Sequence, residues 1–164
     1  MTAGRTRTWI LLAPFLFVLH EAEEYATALP WLGRHSSLVP SAIKGIVPDT
    51  PAFIAYAGAM FLVVYAIGGA LAIRSRPRSI AWMILAILMT ARLENAVLHA
   101  IESLVLRQYT PGVLTAVLLV LPITLYLLRQ FIRDGVIRRS WLAWMIPVAF
   151  LTQAFGIGMM LLLG

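Results

Sequence analysis

An imidazole and three carboxylates, His20, Glu21, Glu23 and Glu24, fall within one short stretch of an apolar run that begins near Thr8 and ends near Leu29. Ionisable groups in hydrocarbon are costly unless paired, protonated or bound, so a cluster there marks a functional site before it marks anything else. A second group of the same kind, Arg92, Glu94, Asn95, His99 and Glu102, stands in a later apolar run. Residues three and four apart share a helix face. His20, Glu23 and Glu24 are therefore neighbours, while Glu21 lies about 100° round from His20 and is a weaker member. Arg92, Asn95, His99 and Glu102 form a single stripe, with Glu94 beside it.

His-x-x-Glu occurs on both faces, as His20/Glu23 and His99/Glu102. One imidazole and one carboxylate at this spacing bind a metal from a helix, and di-metal bundles use two such pairs with further carboxylates. The expected metal ligands are His20, Glu23, His99 and Glu102. The expected catalytic residues are Glu24 as further carboxylate or general base, Asn95 as ligand or orienting group, and Arg92. A divalent Zn, Mn or Fe ion suits these donors. A guanidinium beside a metal is repelled, so Arg92 is expected to pair with Glu23, Glu24 or Glu94 or to hold an anionic substrate group. The alternative is that all these residues tie helices together by interhelical hydrogen bonds. Gln153, farther along, reads as such a tie, and Tyr25 and Tyr109 read as interfacial aromatics.

The elements that must carry these faces are membrane helices. Of 164 residues, 61% are hydrophobic and 12% charged, which is the membrane class and excludes an ordinary soluble domain. The net charge of +6 would suggest nucleic acid for a soluble protein, but nearly all the basic residues fall in short loops as topology signals, so no nucleic acid is expected. There is no cysteine, which excludes disulfides and thiolate ligands. The fold class is all-α, a polytopic membrane helical bundle forming one domain, with spans at about 8–29, 52–73, 80–106, 113–128 and 141–163.

The first run also has the basic start and Ala26-Thr27-Ala28 site of a signal peptide, but the polar cluster interrupts it and the regular topology retains it. Loop 30–51 is long, with four prolines and an apolar piece at 38–47 that could lie on the interface or act as a lid. Asp49, Thr50 and Pro51 read as a helix start, Ser79 as the cap of the third span, and Pro122 as a kink in the fourth. Asp134-Gly135 reads as a turn.

Segments 1–7, 74–79 and 129–140 contain two, three and four arginines, whereas 30–51 and 107–112 hold only Arg34, Lys44 and Arg107. The positive-inside rule then places the N-terminus in the cytoplasm and the C-terminus outside, across a cell membrane. His20 and Arg92 each lie 12 residues past the start of their span, about 18 Å deep in a ~30 Å core at ~1.5 Å per residue. The two faces overlap in depth and must both avoid lipid. They are expected to meet across a polar cavity open to the outside.

His20-Glu21-Ala22-Glu23-Glu24, followed by Asn95-Ala96-Val97-Leu98-His99, Tyr109-Thr110-Pro111-Gly112 and Thr115, resembles the HXXEE domain family of small bacterial and fungal membrane proteins. That resemblance implies an integral membrane protein, suspected of metal-dependent catalysis, with His20, Glu23, Glu24, Asn95 and His99 as its functional residues. Arg92 and Glu102 are added by helical spacing alone. The leading expectation is a metal-dependent membrane hydrolase that activates water on a lipid-like or other apolar small-molecule substrate. An oxygenase or desaturase would need more histidines than these. The competing expectation is a proton- or cation-coupled transport component, for which five spans are few and a homo-oligomer would be required.

Overall fold

The computed structural model describes residues 4–35 and 51–163. These residues form five helices and no strands: α1 (Gly4–Arg34), α2 (Pro51–Arg74), α3 (Ile80–Leu106), α4 (Val113–Arg133) and α5 (Leu142–Leu163). Helices α3 and α4 are long and apolar enough to cross a membrane, and Gly58–Arg74 of α2 is a shorter apolar stretch. The expected lid or interfacial segment at 38–47 and the capping pair Asp49 and Thr50 lie outside the described residues.

The bundle runs up and down. Helix α1 packs on α2 and α4, while α3 packs on α2, α4 and α5. One end is closed by short polar contacts between segments distant in sequence. Thr6 donates to Asp134 at 3.0 Å, and the Arg78 backbone N–H donates to the Val136 carbonyl at 2.9 Å. Gly135, at φ +67°, makes the tight turn that the Asp134-Gly135 pair predicts. The arginine-rich segments 74–79 and 129–140 therefore meet at that end, beside the start of α1.

Inside, Ile10, Ala13, Phe17 and His20 of α1 fall at three- and four-residue spacing and are all buried. Trp82, Leu85, Met89, Arg92, Ala96 and His99 do the same on α3. The polar groups thus continue the apolar stripes that pack the bundle, and it is this continuity that takes them inside. Phe17 meets Tyr65 edge to face at 5.4 Å, and Trp82 meets Phe131 at 5.3 Å, so aromatic pairs fill the layers below the polar groups. The outward faces carry large apolar side chains on every helix, among them Phe15, Val63, Leu104, Leu118 and Phe150.

Several boundaries differ from the sequence expectation. Helix α1 does not stop at 29 but runs through Pro30 to Arg34. A proline removes one donor without ending a helix whose next turn is anchored elsewhere, and Trp31 Nε1 donates to the Tyr109 carbonyl at 2.8 Å. Helix α4 continues past 128 to Arg133, so Arg129 and Arg133 lie in its last turns rather than in a loop. The distortion expected at Pro122 is a π turn over Ala116–Val120, just N-terminal to the proline, where the missing N–H leaves the Leu118 carbonyl without its usual donor. Ser79 does sit at the N-cap of α3 with extended backbone, but its hydroxyl makes no capping bond. Trp141 belongs to a 3₁₀ turn before α5.

Gly69 brings α2 against α1, since a Cβ there would stand 3.0 Å from Ile10 Cγ2, whereas one on Gly33 would meet nothing within 4 Å. Gly69→Val is expected to lower stability by about 1–3 kcal/mol through overpacking. Gly33→Ala is expected to be neutral or slightly stabilising, through helix propensity. Thermal unfolding followed by circular dichroism in detergent checks the pair, and equal effects at the two sites would contradict this packing.

Candidate functional site

The backbones of α1 and α3 are not close-packed neighbours; long polar side chains bridge them between α2 and α4. From α1, His20 is fully buried. Its ring stands edge-on to that of His99 from α3, with centroids 5.1 Å apart at 82°. Nε2 of His20 lies 3.9 Å from Glu24 Oε2 and 3.3 Å from Asn95 Oδ1, and Nδ1 lies 3.0 Å from the Thr115 hydroxyl. His99 is buried, and neither ring nitrogen makes a hydrogen bond among the described residues. One ligand atom each from His20, Glu24 and His99 can be chosen so that all lie within 4.8 Å of one another. Glu24 keeps 29% of its side chain exposed, so the cluster is reached from its side.

Glu23 looks the other way, onto the first turn of α4. It accepts the backbone N–H of Leu114 at 3.2 Å and that of Thr115 at 2.7 Å, the Thr115 hydroxyl, and the Tyr109 hydroxyl at 2.6 Å. The first N–H groups of a helix have no intrahelical partner, and this carboxylate from α1 supplies one. Tyr109 is thus more than an interfacial aromatic. Partial burial, and then the carboxylate to which it donates, push its phenol above its ordinary value, which keeps it a donor at neutral pH.

Gly112 closes the cluster from the loop side. At φ +79° it adopts a conformation that other residues rarely take, and a Cβ there would stand 3.0 Å from His20 Cε1 and 3.2 Å from His99 Cε1. The loop is held on both helices, because Trp31 binds the Tyr109 carbonyl and Ser103 Oγ donates to the Gln108 carbonyl at 2.6 Å.

Arg92 takes a partner that spacing ranked weakest. It pairs with Glu21 at 2.5 Å, and its guanidinium lies 3.7 Å from the centroid of the Phe61 ring. Gly58 of α2 makes room for the pair, since a Cβ there would come within 2.8 Å of Glu21 Cδ. The charge of Arg92 is thus matched beside the imidazoles and not aimed at them. The expected pairing of Arg92 with Glu23, Glu24 or Glu94 is not what the structure contains. Glu94 instead accepts from Gln153 at 3.2 Å, the interhelical tie expected of that glutamine.

Sequence reasoning brings His20, Asn95, His99, Arg92 and Glu24 to one place, and the structure does the same. It puts Glu23 on the helix cap, and leaves Glu102 exposed one turn beyond His99 and outside the three-residue cluster. The two polar faces meet directly at His20, Asn95 and His99.

A family model described as protein of unknown function with HXXEE motif matches residues 11–127. The chain belongs to that family. The matched segment of this HXXEE protein contains the whole cluster, the Glu23 cap and the Arg92–Glu21 pair. No curated protein and no solved structure matches the chain. Glu21, Gly58, Phe61, Gly112 and Thr115 carry roles that helical spacing alone missed. Gly112 and Thr115 were signalled only by the block that also holds Tyr109.

Glu21→Ala is expected to cost about 3–5 kcal/mol, because it leaves the buried Arg92 charge unpaired, and Arg92→Ala less, because Glu21 is only partly buried. Replacing both, Arg92→Met with Glu21→Leu, is expected to recover most of that loss. A double-mutant cycle of thermal stability in detergent measures it, and additive losses would contradict the pairing.

Proposed function

We propose that this HXXEE protein is a five-span integral membrane protein that holds a divalent metal ion on His20, Glu24 and His99 and serves as a hydrolase for a lipid-like or other apolar substrate. The observation that carries the reading is the convergence of two imidazoles and one carboxylate from two helices, with both His99 nitrogens buried and unpartnered. Buried polar atoms without a partner are rare in folded interiors, and an ion held by the cluster would take the lone pair of one of these nitrogens. Two histidines and one glutamate form a donor set for Zn with a coordination position left open, and also suit Fe or Mn.

When bound, the ion would supply Lewis acidity, polarising a carbonyl or phosphoryl oxygen and making water a better nucleophile. The chain's own residues do the rest. His20 and His99 supply neutral donors from the interior. Glu24 supplies the negative donor at the rim, where substrate arrives. Glu21 neutralises Arg92 so that its charge does not oppose the cation. In this reading Glu24 takes the ligand role first expected of Glu23, and Glu23 serves the fold.

Membrane placement is supported by the large apolar side chains that face outward on every helix, since a soluble bundle would hide them. It is supported as well by the gathering of arginine-rich loops at one end. The N-terminus then lies in the cytoplasm and the C-terminus outside, and the cluster opens toward the outer half of the bilayer.

Protein purified in mild detergent is expected to contain stoichiometric Zn, Mn or Fe, lost in His20→Ala, His99→Ala and Glu24→Gln. Added metal is expected to raise the melting temperature of the wild type, by about 2.7 kcal/mol of stabilisation at a hundredfold excess over Kd, and not that of the variants. Trace metal unchanged by the substitutions sinks the reading. The topology is tested separately, since the chain has no cysteine of its own. An impermeant maleimide applied to intact cells is expected to label Gln108→Cys and to spare Ser75→Cys. The reverse pattern, or labelling of both, contradicts the proposed orientation.

A further inference from the structure

His20 has one ring nitrogen toward Thr115 and the other toward Glu24 and Asn95, and which nitrogen carries the proton decides whether the cluster has a donor to offer. The neighbouring hydroxyl settles it. Thr115 has a single hydroxyl proton. That proton is directed at Glu23 Oε2, with the Gly112 carbonyl at 3.4 Å as the other acceptor within reach. Glu23 in turn receives two backbone N–H groups and the Tyr109 hydroxyl, which makes its oxygens acceptors. Toward His20, then, the Thr115 oxygen can only accept, and the Nδ1 atom 3.0 Å away must bear the proton. Nε2 is left with its lone pair, on the side of Glu24 and His99. Asn95 is compatible with this. Its amide makes no other hydrogen bond among the described residues, and a half-turn presents its N–H₂ group to a bare Nε2, a bond that a ligand on Nε2 displaces.

Building on the metal-site reading above, we propose that Glu23 and Thr115 are positioning residues that hold His20 as the Nδ1–H tautomer and so deliver its Nε2 lone pair to the cluster with Glu24 and His99. A histidine that ligates through one nitrogen is commonly held in its tautomer by a hydrogen bond at the other. The acceptor here is a hydroxyl whose own proton is committed to a carboxylate, so the relay runs from His20 through Thr115 to Glu23. Glu23 does two things with one group. It caps α4, and through the same turn it orients the imidazole. The arrangement also explains the order of residues in the motif. His20 and Glu23 must face α4 together, three residues apart, while Glu24, four residues from His20, faces the cluster.

The test reads the tautomer directly and needs no metal. Protein labelled with ¹⁵N-histidine in detergent or nanodiscs, with His20 assigned by His20→Gln, is examined by two-bond ¹H–¹⁵N correlation in the metal-free state. The wild type and Thr115→Ser are expected to show Nδ1 protonated and Nε2 bare. Thr115→Val, which keeps the shape and removes the acceptor, is expected to show the proton shifted to Nε2. Wild-type His20 with the proton on Nε2 overturns the proposal. So does Thr115→Val with the proton still on Nδ1. If Thr115→Val does not fold, the wild-type spectrum alone decides. Zinc titration then separates this inference from the reading beneath it. Thr115→Val is expected to bind zinc about 10- to 100-fold more weakly than wild type, with Thr115→Ser restoring affinity. A wild type that shows the expected tautomer and binds no Zn, Mn or Fe retains the relay and removes the metal reading. A wild type that binds metal with equal affinity in Thr115→Val retains the metal reading and overturns the relay.

Discussion

The contact on which the arrangement depends is the Glu23 carboxylate seated on the first turn of α4. The first N–H groups of a helix have no partner within it, and each must find an acceptor elsewhere. Glu23 meets that need for Leu114 and Thr115. It also fixes α1 and α4 in rotation and in height. Once it is seated, His20, three residues earlier on α1, faces Thr115 and Gly112, and Glu24 is turned away from α4 to the rim of the cluster. The imidazole is therefore placed by a backbone requirement of another helix.

A second constraint is charge. Arg92 continues the buried stripe of α3, so its guanidinium enters the bundle whatever its partner. Desolvating it is costly, and the cost is offset by the carboxylate of Glu21 and by the face of Phe61. This pair is local and complete, and it leaves the field at the imidazoles much closer to neutral than a lone arginine would. It also asks something of α2. Gly58 must have no side chain, and that absence lets α2 lie directly over the pair. The ion pair thus sets the α1–α2 approach as the Glu23 cap sets the α1–α4 approach.

Much of this is legible in the sequence. Helical spacing alone puts His20 on one stripe with the core residues of α1, and Arg92 and His99 on one stripe with those of α3. Helix ends at Ile80, Leu106 and Val113 follow from punctuation by Pro77 and by the turn residues Tyr109-Thr110-Pro111-Gly112. Spacing does not distinguish Glu23 from Glu24, because positions three and four beyond His20 are equally near it. What separates them is which neighbour lies on each side, and that is a property of the tertiary arrangement. Glu21 was ranked low because it is about 100° from His20. That rotation does not remove it from the interior but turns it toward α2 and Arg92. Glu102 shows the opposite error. It continues the stripe of His99 in projection, but it is exposed and stands outside the cluster. Pro30 likewise reads as a loop start until Trp31, anchored on the Tyr109 carbonyl, is seen to hold the next turn in helix.

The loop 107–112 joins these constraints into one. Arg107 turns the chain in a left-handed conformation at the end of α3, Ser103 holds the Gln108 carbonyl, Trp31 holds the Tyr109 carbonyl, and the Tyr109 hydroxyl reaches Glu23. Gly112 then passes between the two imidazoles and the start of α4, where a side chain would strike both rings. Each of these contacts links α1 or α3 to the beginning of α4. It follows that α4 cannot be capped without the loop being docked, and the loop cannot dock without bringing His20 and His99 within 5.1 Å of each other. The cluster and the start of α4 accordingly share the same contacts. A polar site in the middle of an apolar bundle persists here because taking it apart would also unmake the start of a helix.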